Sequence, residues 1–276
     1  MANKTFAGLT LSSPRIMGII NVTPDSFSDG GETFMFKDAV QRGLAMLESG
    51  ADMLDIGGES TRPGATPVSV DEEMHRVVPV IEKLCDAGAI VSIDSRRSQV
   101  MRAAINAGAS VVNDVTALAG DPYSLACVAD CEVSVILMHM QGTPETMQDR
   151  PNYDDVCGDV HDYLGKRIDV CAEAGIPRER IAVDPGIGFG KTCEHNLQIL
   201  SHIEDLHRLR VPVIIGASRK SFIGRISGET KPAKRTAGSI SAALASLNQG
   251  VQIFRVHDVA ETRQAFDVWE AIRSVV

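Results

Sequence analysis

Short apolar runs recur along this chain, and each ends in a side chain that can do chemistry. In order, the residues that follow eight such runs are Asn21, Asp55, Asp94, Asn113, Met138 with His139, Asp184, Lys220, and Arg255 with His257. A single Asp in such a place is usually a turn or capping residue. Eight runs that each deliver a polar or ionisable group are better explained by one shared site with carboxylate acceptors and cationic donors.

The segment 57–64 reads Gly-Gly-Glu-Ser-Thr-Arg-Pro-Gly, a composition suited to an anion. Its two leading glycines let the backbone approach a ligand closely. Thr61 and Arg62 supply donors that match phosphate or carboxylate oxygens. A plain turn is the alternative, but an arginine beside hydroxyls favours anion binding.

Two further segments are rich in glycine. Residues 23–31, Thr-Pro-Asp-Ser-Phe-Ser-Asp-Gly-Gly, fit equally well a surface loop or a lid whose Phe27 covers a bound ring. Residues 184–192, Asp-Pro-Gly-Ile-Gly-Phe-Gly-Lys-Thr, superficially resemble a nucleotide-binding loop. That motif requires a glycine where Pro185 stands, and proline has no N–H for a phosphate. A glycine-lined loop that carries one aromatic residue, Phe189, is the better interpretation.

Cationic residues gather near the carboxyl end of the sequence. Ser218-Arg219-Lys220-Ser221 opens a short predicted helix, where backbone N–H groups and cations favour an anion. Arg255 and His257 alternate along a predicted strand, so both can point the same way. A hydrogen-bonded core histidine is the alternative for His257.

Composition narrows the function classes. The chain has 276 residues, 44% of them apolar, and a formal net charge of −9, which argues against a general nucleic-acid binder. Six scattered cysteines indicate reduced thiols, and a zinc site among Cys193, His195, His202 and His207 is disfavoured because no matching second pair exists. With no signal peptide or membrane-length apolar run, we expect a cytoplasmic protein without a membrane partner.

The apolar runs predict the elements that position these residues. They are 16–20, 53–56, 90–93, 110–112, 134–138, 181–183, 213–215 and 252–254, and helical periodicity lies between them. Eight alternations of strand and helix predict an α/β fold, a single (β/α)8 TIM barrel spanning residues 1–276. The active site is then expected at the C-terminal ends of the strands. A doubly wound open sheet is the rival, since strand order is not readable from sequence.

In their order and over nearly the whole chain, these segments resemble the dihydropteroate synthases, a pterin-binding family of the bacterial folate pathway. Members condense 6-hydroxymethyl-7,8-dihydropterin diphosphate with 4-aminobenzoate to give 7,8-dihydropteroate and diphosphate, with Mg²⁺. The resemblance implies the same fold, two small-molecule substrates and a homodimer. By the same resemblance, the pterin is expected to bind Asp94, Asn113, Met138, Asp184, Gly216 and Lys220.

The resemblance also implies the remaining ligand contacts. Asn21 is the expected Mg²⁺ ligand, and the expected diphosphate contacts are Asn21, Thr61, Arg62, Arg255 and His257. The expected aminobenzoate contacts are Phe27, Thr61, Arg62, Pro63, Phe189, Lys220 and Ser221. Catalytic roles fall to Asp55, Asp94, Lys220, Arg255 and His257. The alternatives are a pterin-binding methyltransferase and a non-catalytic pterin-binding paralogue.

One segment departs from the family pattern. Asp94-Ser95-Arg96-Arg97 stands where many members have Asp-Thr-x-Lys. Ser95 keeps the hydroxyl and Arg97 keeps the charge, but arginine and lysine differ in geometry. The sequence therefore does not decide whether Ser95 and Arg97 support Asp94 as the family's usual residues do.

Overall fold

The protein is a parallel barrel surrounded by helices, as seen in a computed structural model that describes residues 5–23, 32–60, 67–143 and 146–275. The strands are β1 Thr5–Phe6, β2 Leu9–Thr10, β3 Arg15–Asn21, β4 Met53–Gly57, β5 Val91–Asp94, β6 Val111–Asp114, β7 Ser134–Met138, β8 Ile181–Asp184, β9 Ile214–Ile215 and β10 Ile253–Val256. All eight predicted strands are confirmed as β3 to β10.

The strand order decides between the two architectures. The sheet runs β8-β7-β6-β5-β4-β3-β10-β9, and every neighbouring pair is parallel. A parallel bridge between Val183 and Val213 then joins β8 to the residue before β9. The Val183 amide donates to the Pro212 carbonyl at 2.9 Å. The chain leading into β9, at one end of the strand order, therefore meets β8 at the other end, and the sheet closes. The barrel prediction is confirmed and the open sheet is excluded.

Nine helices in the described part of the chain cover the outside of the barrel. They are α1 Glu32–Glu48, α2 Val70–Asp86, α3 Ser98–Asn106, α4 Ser124–Ala129, α5 Val156–Glu173, α6 Cys193–Ser201, α7 Ser221–Ser227, α8 Thr236–Asn248 and α9 Val259–Ser274. Amphipathic spacing explains them: Val77, Ile81 and Leu84 of α2 are all completely buried. None of these helices has the length and apolar character needed to cross a bilayer.

The barrel interior is built in layers that follow the two-residue period of a strand. The first layer is apolar and lies near the amino ends of the strands. It consists of seven strand residues together with Phe6 of the small β1–β2 hairpin, which packs beneath them. These residues are Phe6, Met17, Met53, Val111, Ile136, Ala182, Ile214 and Ile253, all at most 1% exposed. We call this layer the floor.

Two positions further along the same strands stand most of the residues that were singled out for chemistry. Asp55 follows Met53, Asn113 follows Val111, Met138 follows Ile136, Asp184 follows Ala182, Gly216 follows Ile214 and Arg255 follows Ile253. Because side chains two apart point to the same face, both sets face the barrel interior. We call this second layer, with the loops above it, the mouth.

Candidate active site

Arg255 is the centre of the charged cluster in the mouth. Its Nε donates to Asp55 Oδ2 at 2.6 Å and its Nη2 donates to Asp94 Oδ2 at 2.6 Å. Asn113 Nδ2 donates to the same Asp55 oxygen at 3.1 Å. Since β4, β6 and β10 are not neighbours in the sheet, these contacts cross the barrel and bring three predicted catalytic residues together.

The carboxylates of Asp55 and Asp94 differ in burial and in the charges around them. Asp55 is completely buried, whereas the side chain of Asp94 is 15% exposed. Burial raises the pKa of Asp94 to about 7, with Arg255 opposing and Asp55 adding to the rise. Burial lowers the pKa of Arg255, but Asp55 and Asp94 outweigh it and raise that pKa above its ordinary value. The guanidinium therefore stays charged between the two carboxylates.

Asp184 forms the opposite wall of the mouth, at the end of β8. Its Oδ1 accepts from the Gly186 amide at 2.7 Å, and it pairs in register with the buried Met138. A Cβ built on Gly216 would lie 3.7 Å from Asp184 Oδ2, so this glycine leaves the carboxylate oxygen accessible from β9. Burial raises the pKa of Asp184, while the bond from Gly186 and the Lys220 charge act against this.

Lys220 reaches this wall from the loop after β9. Its Nζ lies 4.0 Å from the centroid of the Phe189 ring, within range of a cation–π interaction. A Cβ built on Gly188 would lie 3.2 Å from Lys220 Cδ, and Gly188 has φ +81°, so glycine serves both space and backbone there. Ser221, the first residue of α7, is exposed beside it.

His257 is a neutral side chain in contact with Ser218. The Ser218 hydroxyl oxygen accepts from the His257 amide at 3.2 Å and lies 3.0 Å from its Nδ1. Burial, with the charges of Arg255 and Arg219, lowers the pKa of His257 to about 3, so the ring is neutral at pH 7. A Ser218 hydroxyl that donates to Nδ1 would leave the ring proton on Nε2, facing the mouth as a donor.

Asn21 is the last residue of β3. It pairs in register with Gly57, and a Cβ on that glycine would lie 3.7 Å from both Asn21 Oδ1 and Asp94 Oδ2. Both oxygens therefore face the same space above Gly57.

The departure at Arg97 now has a structural explanation. Arg97 donates through Nη1 to Glu73 at 2.9 Å and through Nη2 to Glu59 at 2.7 Å. Glu59 Oε1 also accepts from the Val68 amide at 3.3 Å. Arg97 therefore fastens α2 and the segment after β4, while Asp94 takes its ion pair from Arg255.

Four predicted site residues, Phe27, Thr61, Arg62 and Pro63, lie outside the described residues. Within the described ranges, no three His, Cys, Asp or Glu side chains are grouped to hold a metal. His195 instead completes a capping box with Thr192 at the start of α6.

Comparison with known proteins identifies the family. Residues 17–257 match the family model described as pterin binding enzyme. The chain belongs to the pterin-binding enzyme family. Dihydropteroate synthase of Escherichia coli K12 is 45% identical over 267 residues, which covers 96% of this chain and 94% of that protein.

Solved structures of this family agree with the fold. Dihydropteroate synthase of Xanthomonas albilineans, solved with 4-aminobenzoic acid, is 50% identical and superposes with a TM-score of 0.92 over 97% of this chain and 96% of that one. The same enzyme in complex with 7,8-dihydropteroate gives 47% identity and a TM-score of 0.89, covering 97% of both chains.

Sequence reasoning gave no role to three residues that now border the site: Ser218, His139 and Lys191. Ser218 was noted only as part of a motif, and Lys191 only as a letter of the rejected nucleotide-binding pattern. The Ser218 contact with His257 spans 39 positions, and the Lys191 contact with His139 spans 52. A usable signal was present for His139 alone, which directly follows the strand end at Met138.

Proposed function

We propose that this protein acts as a dihydropteroate synthase, joining 6-hydroxymethyl-7,8-dihydropterin diphosphate to 4-aminobenzoate with release of diphosphate. The observation that carries the proposal is the single interior layer in which Asp55, Asn113, Asp184 and Arg255 converge two positions above the floor. Membership of the family and similarity to the Xanthomonas albilineans enzyme with its product support it.

The pterin lies on the layer formed by Asp94, Asn113, Met138, Asp184 and Gly216, with Lys220 above. A 2-amino-pyrimidinone ring presents N–H donors at one edge, and Asp184 Oδ2 beside Gly216 is an acceptor for them. Met138 supplies an apolar wall in register with Asp184. Lys220 donates to the acceptors of the ring.

The diphosphate is held at the other side of the mouth by Asn21, Arg255 and His257, with Thr61 and Arg62 from the neighbouring segment. Arg255 uses two of its five donors on Asp55 and Asp94, so others remain for phosphate oxygens. His257 contributes a neutral Nε2–H rather than a charge, because its pKa is about 3. Such donors stabilise a leaving group whose charge is growing.

Mg²⁺ fits this arrangement with Asn21 as its protein ligand. This ion keeps several waters and takes substrate phosphates as ligands, so the Asn21 amide oxygen would be one protein ligand among waters and phosphate oxygens. When bound, it supplies positive charge that favours departure of diphosphate.

The chain itself needs no nucleophile or strong base for this reaction. The C–O bond to diphosphate breaks, and the aminobenzoate nitrogen forms the new C–N bond with its lone pair before losing a proton. Asp55 and Asp94 stabilise the positive charge that develops on the pterin methylene carbon. Phe189, Lys220 and Ser221 contact the aminobenzoate, together with Phe27, Thr61, Arg62 and Pro63.

We further propose that residues 1–276 form one domain that works as a homodimer. Three apolar side chains on α7 and α9 support the second point, because Ile226, Val268 and Ile272 are 61%, 55% and 63% exposed. A second copy that covered these side chains would remove their apolar surface from water. Sedimentation at micromolar concentration tests this assignment, and a monomer would contradict it.

The decisive experiment measures diphosphate release from dihydropterin diphosphate with Mg²⁺, with and without 4-aminobenzoate. We expect release that depends on aminobenzoate, stops on chelation and collapses in Lys220→Ala. Tight pterin binding without release would support a non-catalytic paralogue. Methyl transfer from a methylated folate without diphosphate release would support the methyltransferase, which needs no Arg255 and His257 to grip a diphosphate.

A further inference from the structure

Lys191 is a buried cation for which the reaction has no use. Its residue is 3% exposed at the end of the glycine-rich loop after β8. Its Nζ lies 2.9 Å from His139 Nδ1, 3.3 Å from the His139 carbonyl oxygen and 3.0 Å from the Phe189 carbonyl oxygen. Three acceptors thus surround a group with three N–H donors when charged.

These contacts join the loops that leave two adjacent strands. His139 directly follows β7, and its amide donates to the Asp184 carbonyl at 3.0 Å. The loops are already in close contact, because a Cβ built on Gly190 would lie 2.6 Å from the Gln141 carbonyl oxygen. Lys191 fastens them at the point where Phe189 turns towards the mouth.

The imidazole partner is fixed from its far side. His139 packs edge-on against Tyr163, with ring centroids 5.0 Å apart and an interplanar angle of 88°. The Tyr163 hydroxyl donates to the Thr116 carbonyl at 3.3 Å, which anchors that ring in turn. Burial and the Lys191 charge lower the pKa of His139 to about 3, so its Nδ1 accepts from the amine.

We propose that Lys191 is a positioning residue that holds Phe189, and through its ring the Lys220 ammonium, in the aminobenzoate half of the site. Lys191 Nζ is taken up by His139 and by the Phe189 carbonyl, and the ring of Phe189 lies under the Lys220 ammonium at 4.0 Å. The proposal rests on the proposed synthase function and adds a residue to it.

The test is steady-state kinetics of Lys191→Met with each substrate varied in turn. We expect the KM for aminobenzoate to rise about tenfold, the loss of one well-placed interaction, and the KM for the pterin diphosphate to rise by a smaller factor, because Lys220 is only one of several residues assigned to the pterin. Phe266→Leu is the control for lost stability, because Phe266 is a fully buried α9 residue whose ring packs against Phe254 of β10, and shortening it destabilises the fold. If both variants change the aminobenzoate KM equally, Lys191 is merely structural and the proposal fails.

A double-mutant cycle with Phe189→Leu separates the route of action. If Lys191 works through Phe189, adding Lys191→Met to Phe189→Leu leaves the aminobenzoate KM unchanged, whereas independent effects that multiply overturn the proposal. Should Lys191→Met not fold, Lys191→Gln takes its place in the same cycle. Wild-type protein without aminobenzoate-dependent release would sink the synthase function instead, which distinguishes the two failures.

Discussion

The floor and the mouth of this barrel come from the same strands, two residues apart, and differ in every physical respect. The floor joins Phe6 to residues such as Met53 and Ile253 and contributes apolar burial. One step up, Asp55 and Arg255 occupy the same strands, and each is tolerated only because it pairs with the other. The contrast predicts that substitutions in the floor lower the free energy of unfolding, whereas substitutions in the mouth lower the catalytic rate. A mouth residue that also neutralises a buried charge should affect both.

Arg255→Met should give the largest effect, because it breaks this separation. It leaves Asp55 and Asp94 buried without their cation, which costs about 3–5 kcal/mol of unfolding free energy. Loss of a charge-stabilising donor also lowers kcat by about 10²–10³-fold. Urea unfolding and diphosphate release measure the two losses. Adding Asp55→Asn and Asp94→Asn should recover stability without activity; a triple variant that regains activity would contradict this reading.

Phe6→Ala should confine its effect to the floor. Phe6 is 1% exposed beneath the barrel, and truncating a buried phenylalanine costs about 3–5 kcal/mol. Because it lies below the layer that contacts substrate, kcat/KM of the remaining folded protein should stay within about twofold. Urea unfolding and kinetics well below the melting temperature provide the test, with the milder Phe6→Leu as control. A selective fall in kcat would show that the floor tunes the chemistry.

The pH dependence of stability sharpens the comparison at Lys191. Burial lowers its pKa from 10.5 to about 7, although Asp184 raises it and Lys220 lowers it further. The unfolded chain therefore binds more protons between these values, so the cost of burying Lys191 falls as the pH rises from about 7 towards 10.5. The slope is at most about 1.4 kcal/mol per pH unit. The neutral His139, which packs on the same amine, adds no proton in that window.

Unfolding of the wild type and Lys191→Met at pH 7 and pH 9 isolates this group, because all other titrations are common to both chains. The difference in unfolding free energy should move in favour of the wild type at the higher pH. A difference that stays constant would mean that Lys191 keeps an ordinary pKa.

Ser218→Ala should have the smallest effect, and only on chemistry. It removes the hydroxyl that contacts His257 Nδ1 and orients the ring, an interaction worth about 1 kcal/mol, so kcat/KM should fall about fivefold. Ser246→Ala is the matched control: Ser246 is a fully buried serine whose hydroxyl donates to the Ala242 carbonyl within α8. Equal losses of activity in both variants would remove the case for a role of Ser218.

The sequence predicted the barrel and most of the mouth because both follow from local rules. Parallel strands buried on both faces appear as apolar runs, and their carboxyl ends meet at one edge, which was enough to place Asp94, Asn113 and Asp184. The pairing of Arg255 with Asp55 was out of reach, since it joins residues 200 positions apart. The β1–β2 hairpin was also missed, because strands of two residues carry no periodicity.

Two local helix signals were outweighed by competing interactions. A proline inside a helix removes a backbone donor, yet α2 continues from Val70 to Asp86 around Pro79, with Val77 and Ile81 buried on either side. An Asp followed by Pro, as at Asp121, favours a helix start there, but the Asp121 carboxylate accepts from the amides of Ser98 and Tyr123, and α4 begins at Ser124. Tertiary packing and a more distant partner outweighed the local signals.

The closed floor also determines by which route the substrates reach the site. With Phe6 and its layer closing the amino-terminal end, both substrates reach the interior through the mouth. Four residues assigned to the pterin, Asp94, Asn113, Met138 and Asp184, stand on the strands, whereas Phe189 stands on the loop after β8 and Ser221 begins α7. A molecule bound beside Phe189 and Ser221 would obstruct the path to the strand ends. We therefore expect the pterin diphosphate to bind before aminobenzoate and the product to leave through the mouth.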